Sequence, residues 1–156
     1  SRERGGAWFI ETNVGDVGQV AGALAGCEAV VHLGAIPAPY RHADEVVFTN
    51  NTQATFAVFQ AALLLGVRKV VFASSGGTVY GPPQTIPIPE DHPTDPISSY
   101  GIIKLTTEKY LGLFHHLYGL DYAALRISNP YGPYQNPAGQ QGAIGVFLQR
   151  IYTAGR

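Results

Sequence analysis

The chain has 156 residues, 46% of them apolar, and a formal net charge of −1. That apolar content can bury one core, and the charge balance provides no basic stripe, which argues against nucleic acid and acidic membrane surfaces as partners. No apolar run reaches the roughly 18 residues of a membrane span, and the single cysteine, Cys27, cannot close an internal disulfide, so a cytoplasmic protein handling small molecules is expected.

In chain order, Ala7 to Glu11 reads as a short apolar strand. Asp16 caps a helix through Val17, Val20, Leu24 and Ala25 that ends near Gly26. Glu28 to Leu33 is a buried-type strand, with Cys27 a small buried residue just before it. A long helix is expected from Ala43 to Leu65, with broad apolar faces and a stop at Gly66. The strand Lys69 to Ala73 opens into Ser74-Ser75-Gly76-Gly77-Thr78-Val79-Tyr80-Gly81 and a stiff proline-rich loop from Pro82 to Pro96. Ser98 and Ser99 are natural caps for the next helix, which carries Tyr100 and Lys104 and runs to about Tyr118 before Gly119. Tyr122 to Ile127 is the last strand, and Gly142 to Arg150 a final helix.

Strands alternating with helices, each strand a short continuous apolar run, indicate an α/β fold: a doubly wound parallel sheet covered on both faces. The opening Ser1-Arg2-Glu3-Arg4 and the lack of methionine read as an internal fragment, one partial domain over residues 1–156.

Tyr100 and Lys104 are the chemical centre of this pattern. Four positions apart on a helix they share a face, so the ammonium can sit under the phenol. At roughly 5 Å and an effective dielectric near 20, one positive charge favours tyrosinate by about 3 kcal/mol, or about two pKa units. A phenol tuned in this way is an acid/base group. In a doubly wound sheet ligands lie beyond the carboxyl ends of the strands. Four such ends are small, polar or rich in Gly and Pro: Thr12-Asn13-Val14, Leu33-Gly34-Ala35 with Pro37 and Pro39, the Ser/Gly/Thr turn, and Ser128-Asn129-Pro130-Tyr131-Gly132-Pro133.

Taken together these segments resemble the extended short-chain dehydrogenase/reductase family, the NAD-dependent nucleotide-sugar epimerases and dehydratases, along the whole chain. The resemblance implies a Rossmann-like fold with NAD as cofactor, NADP remaining open, and a nucleotide sugar as substrate. It implies that Asn13 and Val14 lie at the adenine, that Leu33, Gly34 and Ala35 pass the cofactor ribose and diphosphate, and that Asn51 holds the cofactor and the site backbone. Ser74, Tyr100, Lys104 and Pro130 complete the expected cofactor contacts. Asn129, Thr78 and Tyr100 would meet the substrate, and Thr78, with Ser75 as the alternative, would supply the catalytic hydroxyl because Gly76 occupies its usual place.

Ser74-Ser75-Gly76-Gly77-Thr78-Val79-Tyr80-Gly81 is similar to the turn of UDP-galactose 4-epimerases and has no carboxylate after the hydroxyl, which disfavours a dehydratase. A dehydrogenase or ketoreductase and an inactive structural or interaction module stay open as alternatives. The family's G-x-x-G-x-x-G turn is absent from these residues, as are its carboxy-terminal half and its first β-α-β unit. The two long helices are those that pair across a homodimer in the family. His32 is expected as a packed or backbone-bonded histidine, His115 and His116 as surface residues, Glu90 and Asp91 as solvated; no metal site is expected.

Overall fold

The structure, a computed structural model, describes residues 2–35, 45–133, 135 and 142–154. By its contacts the chain divides into two compact units, Ser1–Arg126 and Ile127–Arg156.

The first unit begins with a hairpin of β1 (Arg2–Arg4) and β2 (Ala7–Phe9), antiparallel, with Glu3 opposite Trp8. Gly5 and Gly6 have φ of 56° and 79°, the positive values that both central positions of a type I′ turn require. This corrects the expectation that Ala7 to Glu11 joins the parallel sheet: the strand stops at Phe9, pairs with a charged segment, and leaves Trp8 67% exposed. The Gly5–Gly6 turn folds Ala7–Phe9 back onto Arg2–Arg4, whose backbone pairs with its N–H and C=O groups in a sheet separate from the parallel one.

The main sheet has the order β3 (Ala29–His32), β4 (Lys69–Ser75), β5 (Asp121–Ile127), with β3 and β4 parallel and His32 opposite Phe72. Strand alternation turns Val30, His32, Val70, Phe72 and Ser74 inward. Against that face lie α1 (Val17–Leu24), α2 (Glu45–Leu64) and α3 (Ser99–Tyr118). Phe59 and Leu111 are fully buried there, and Phe59 meets Phe114 edge to face at 5.5 Å. Each such side chain contributes about 1.5–3 kcal/mol of burial.

On the other face Val31, Leu33 and Leu125 are exposed, so within this unit the sheet is covered on one side rather than two. In doubly wound sheets the helices are shared between the faces; the three supplied by this unit all fall on one.

Helix ends follow their local signals. Asp16 Oδ1 accepts the Gln19 N–H at 2.9 Å, Ser98 Oγ accepts the Gly101 N–H at 3.1 Å, and Gly119, with φ 72°, donates its N–H to His115 O. The last cap matters less for function than Ser98, which fixes the first turn where Tyr100 stands. Cys27 is exposed, against expectation: it lies in the turn after α1, beside Gly26 with φ 79°, before the strand enters the core. The expected start of α2 at Ala43 lies outside the described residues. The second unit contains α4 (Ala143–Ala154), of which no residue is buried.

Candidate active site

At the carboxyl ends of β3 and β4 lies a cleft walled by two helices. Helix α3 contributes Tyr100, Ile103, Lys104 and Thr107, the one-face spacing of i, i+3, i+4 and i+7. Helix α2 contributes Asn51 and Thr55, β4 the ring of Phe72, and the end of β3 the backbone of Gly34 and Ala35. Five residues singled out in the sequence, Gly34, Ala35, Asn51, Tyr100 and Lys104, thus meet in one place. A wider depression at the opposite end of β4 and β5, lined by Lys69, Tyr118 and Asp121 among others, contains none of them.

The Lys104 ammonium is buried, donates to Ala73 O at 2.7 Å, and stands 5.4 Å from the centre of the Tyr100 ring and 4.7 Å from that of Phe72. Burial lowers its pKa from 10.5 to about 8, because the cation loses hydration that one carbonyl and two ring faces only partly replace. The Tyr100 phenol is pushed up from its ordinary value by its own burial. That is opposite in direction to the effect expected from Lys104, and the reason is visible: a half-buried phenolate loses hydration, while the nearby ammonium is itself weakened and directed at Ala73 O.

His32 is packed as expected, stacked on Phe72 with centroids 5.9 Å apart, but its hydrogen bond is to a side chain, Thr55 Oγ1 at 3.1 Å. The Thr55 hydroxyl donates to Asn51 O at 2.7 Å, so the ring donates through Nε2. Burial, with the Lys104 charge adding to it, lowers the His32 pKa to about 4, leaving the ring neutral at pH 7.

Thr78 carries the one buried side-chain polar atom without a hydrogen-bond partner among the described residues, its Oγ1. Its carbonyl lies so close to α3 that a Cβ on Gly101 would stand 2.6 Å from it and 3.0 Å from Pro96 Cβ. The turn bearing Thr78 and the helix turn bearing Tyr100 are therefore in direct contact. Ser75 shapes this turn through its carbonyl, which accepts from Thr78 N and Val79 N at 3.4 and 3.2 Å.

Other expected contacts lie elsewhere. Ser74 is buried with its hydroxyl donated to Glu108, so the side chain assigned to a cofactor is engaged inside the protein. Asn13 Oδ1, expected at the adenine, accepts the Gly15 N–H at 3.0 Å in a local turn, and the side chains of Val14 and Leu33 are exposed, outside the cleft. Asn129 and Pro130 belong to the second unit and are exposed.

The lining residues Thr55, Phe72, Ile103 and Thr107 were not anticipated, nor was the ion pair of Glu108 with Arg126 at 2.8 Å. Helical spacing from Tyr100 would have found Ile103 and Thr107. An Arg on the inward alternation of a strand would have signalled a buried partner.

Residues 1–155 match the NAD dependent epimerase/dehydratase family. The UDP-glucose 4-epimerase of Mycolicibacterium smegmatis is 41% identical over 131 residues, 83% of this chain and 42% of that protein. The solved structure of UDP-glucose 4-epimerase from Thermotoga maritima with UDP-glucose aligns with a TM-score of 0.87 at 34% identity, covering 96% of this chain and 50% of that one. The Thermus thermophilus UDP-glucose 4-epimerase in complex with NAD gives 0.86 at 30% identity, covering 97% and 50%. This chain thus spans about half the length of the proteins it matches.

Proposed function

Because the chain belongs to the NAD-dependent epimerase/dehydratase family, we propose that it carries the acid/base centre of a nucleotide-sugar epimerase that inverts C4 of the sugar. The observation that carries this reading is the convergence of Tyr100, Lys104, Asn51 and Gly34 on one cleft at the strand ends. The residues at this cleft suit the nicotinamide-ribose end of a dinucleotide in their chemistry. Among the described residues Lys104 uses one N–H on Ala73 O and keeps two for ribose hydroxyls, and Gly34 and Ala35 bring backbone close without bulk. The glycine turn that would cradle the diphosphate is not among these 156 residues.

Bound NAD+ supplies a hydride acceptor for the sugar C4 and a positive charge that favours the tyrosinate. Tyr100 takes the proton of the C4 hydroxyl and returns it when the keto sugar is reduced from its other face. Thr78 Oγ1, without a hydrogen-bond partner among the described residues, stands on the turn packed against the Tyr100 helix and would be the hydroxyl to serve that same oxygen. Lys104 holds a positive charge beside the phenol throughout. Gly76 and Gly77 offer no carboxylate for elimination of water, which supports epimerisation over dehydration. Incubating the protein with NAD+ and UDP-galactose tests the reading: UDP-glucose should form with no net NADH, whereas NADH rising in step with product would assign a dehydrogenase.

The outer side of α3 exposes Ile102, Leu113 and Leu117, an apolar stripe that supports a homodimer formed through α2 and α3. Light scattering of the protein should give twice the chain mass, and a monomer at micromolar concentration would count against it.

A further inference from the structure

Arg126 sits at the inward position of β5 and makes contact with three parts of the first unit at once. Its Nε and Nη2 reach both oxygens of Glu108 on α3, at 3.2, 3.2 and 2.8 Å. Its Nη1 donates to Glu90 O at 3.2 Å, and the guanidinium lies 4.8 Å from the centre of the Tyr80 ring. Glu108 in turn accepts the Ser74 hydroxyl at the end of β4. Such a planar fork bound on two edges and one face is a geometry lysine cannot reproduce.

What the cation holds is the loop between the two halves of the site. The segment from Gly81 to Pro96 contains no helix or strand, and most of its residues are exposed. It starts just after Thr78 and returns, through Pro96 and the Ser98 cap, directly to Tyr100. Its internal ties are local: Asp95 N to Tyr80 O at 3.4 Å, and His92, which accepts the Gln84 N–H at 3.0 Å and meets the Tyr80 ring edge-on at 5.7 Å. Gly81, at φ 68°, lies against the Asp95 carbonyl with no room for a Cβ. Arg126 ties this closed loop to β5 and to Glu108 in the middle of α3.

We propose that Arg126 is a positioning residue for the reaction: by clamping Glu90 O, Tyr80 and Glu108 together it fixes the distance between Thr78 and Tyr100 across which the sugar hydroxyl must bind. Misplacement of reacting groups by about 1 Å can cost on the order of 100-fold in rate. Among the described residues the partners of Arg126, Glu108, Glu90 and Tyr80, do not line the cofactor cleft, so its effect falls on turnover and not on cofactor affinity.

The test is Arg126→Lys, which keeps the charge and loses the fork, read beside Arg126→Ala with and without added guanidinium. In R126K, kcat should fall by roughly 10- to 100-fold with NAD+ affinity and Tm close to wild type. Amide exchange should quicken by about tenfold or more in residues 81–95 alone, and guanidinium, but not ammonium, should restore part of the R126A rate. Unchanged kcat and loop exchange in R126K would overturn the proposal. So would a fall in Tm with faster exchange throughout the fold, which marks a merely structural bridge. The kinetic arm rests on the epimerase reading, the exchange arm does not: an inactive wild type whose loop opens in R126K would remove that reading and leave the clamp standing.

Discussion

Replacing Tyr100 by phenylalanine lowers kcat for sugar-nucleotide interconversion by roughly 100- to 10,000-fold, the range that a positioned acid/base group supplies. The ring is retained, so the wall it provides beside Ile103 and Lys104 persists and NAD+ affinity should stay within a few-fold of wild type. The burial that raises the Tyr100 pKa adds a corollary: without cofactor the phenol is protonated at neutral pH, and the reactive tyrosinate depends on positive charge brought to the cleft. A spectrophotometric titration of the phenols with and without NAD+ should therefore show one tyrosine ionising at lower pH in the complex. A Tyr100→Phe enzyme within tenfold of wild type would remove Tyr100 from the chemistry.

Lys104→Met is expected to abolish activity while leaving the fold as stable as wild type or more so at pH 7. The lowering of the Lys104 pKa from 10.5 to about 8 corresponds to about 3 kcal/mol by which the folded protein disfavours the charged form. Against this, removing the ammonium strands the Ala73 carbonyl, at a cost of about 1–3 kcal/mol. A net gain between zero and about 2 kcal/mol follows, seen as an unchanged or raised Tm.

The pH dependence gives a sharper check. Between about pH 8 and 10.5 the unfolded chain still binds the Lys104 proton and the folded chain has released it, so wild-type stability from this group rises with pH across that window. In Lys104→Met that rise is absent. Loss of the ribose contacts should also weaken NAD+ binding by about tenfold or more. A variant clearly less stable than wild type at pH 7, or one that keeps the alkaline rise, would show that Lys104 is not a strained functional cation.

Much of the first unit was legible because its signals are local. The Asp16 and Ser98 caps, Gly66 and Gly119 at helix ends, and the apolar runs of β3, β4 and β5 each fix their own element within a residue or two. The Tyr100–Lys104 spacing likewise needed only a helix to become a geometry. What the sequence could not give was partnership. Gly5-Gly6 is a hairpin signal, yet Arg2-Glu3-Arg4 is too charged to read as a strand, so the pattern alone places β2 in the wrong sheet.

The direction of the Tyr100 shift was missed for the same reason. Its sign depends on how much water the phenol and the ammonium each lose, and that is set by the fold around a cleft they share with Asn51, Thr55 and Phe72, far away in sequence. Ser74 reads as a strand-end hydroxyl facing a ligand, but alternation along β4 turns it inward to Glu108, a partner 34 positions away.

Transient oxidation at C4, with Tyr100 moving the proton and the hydride returning to the same carbon, is tested most directly by a substrate carrying deuterium at C4. UDP-galactose labelled there should give UDP-glucose that keeps the deuterium at C4, with no exchange from solvent and no NADH left behind. Product that has lost the label to water, or NADH accumulating with a keto sugar, would contradict the account.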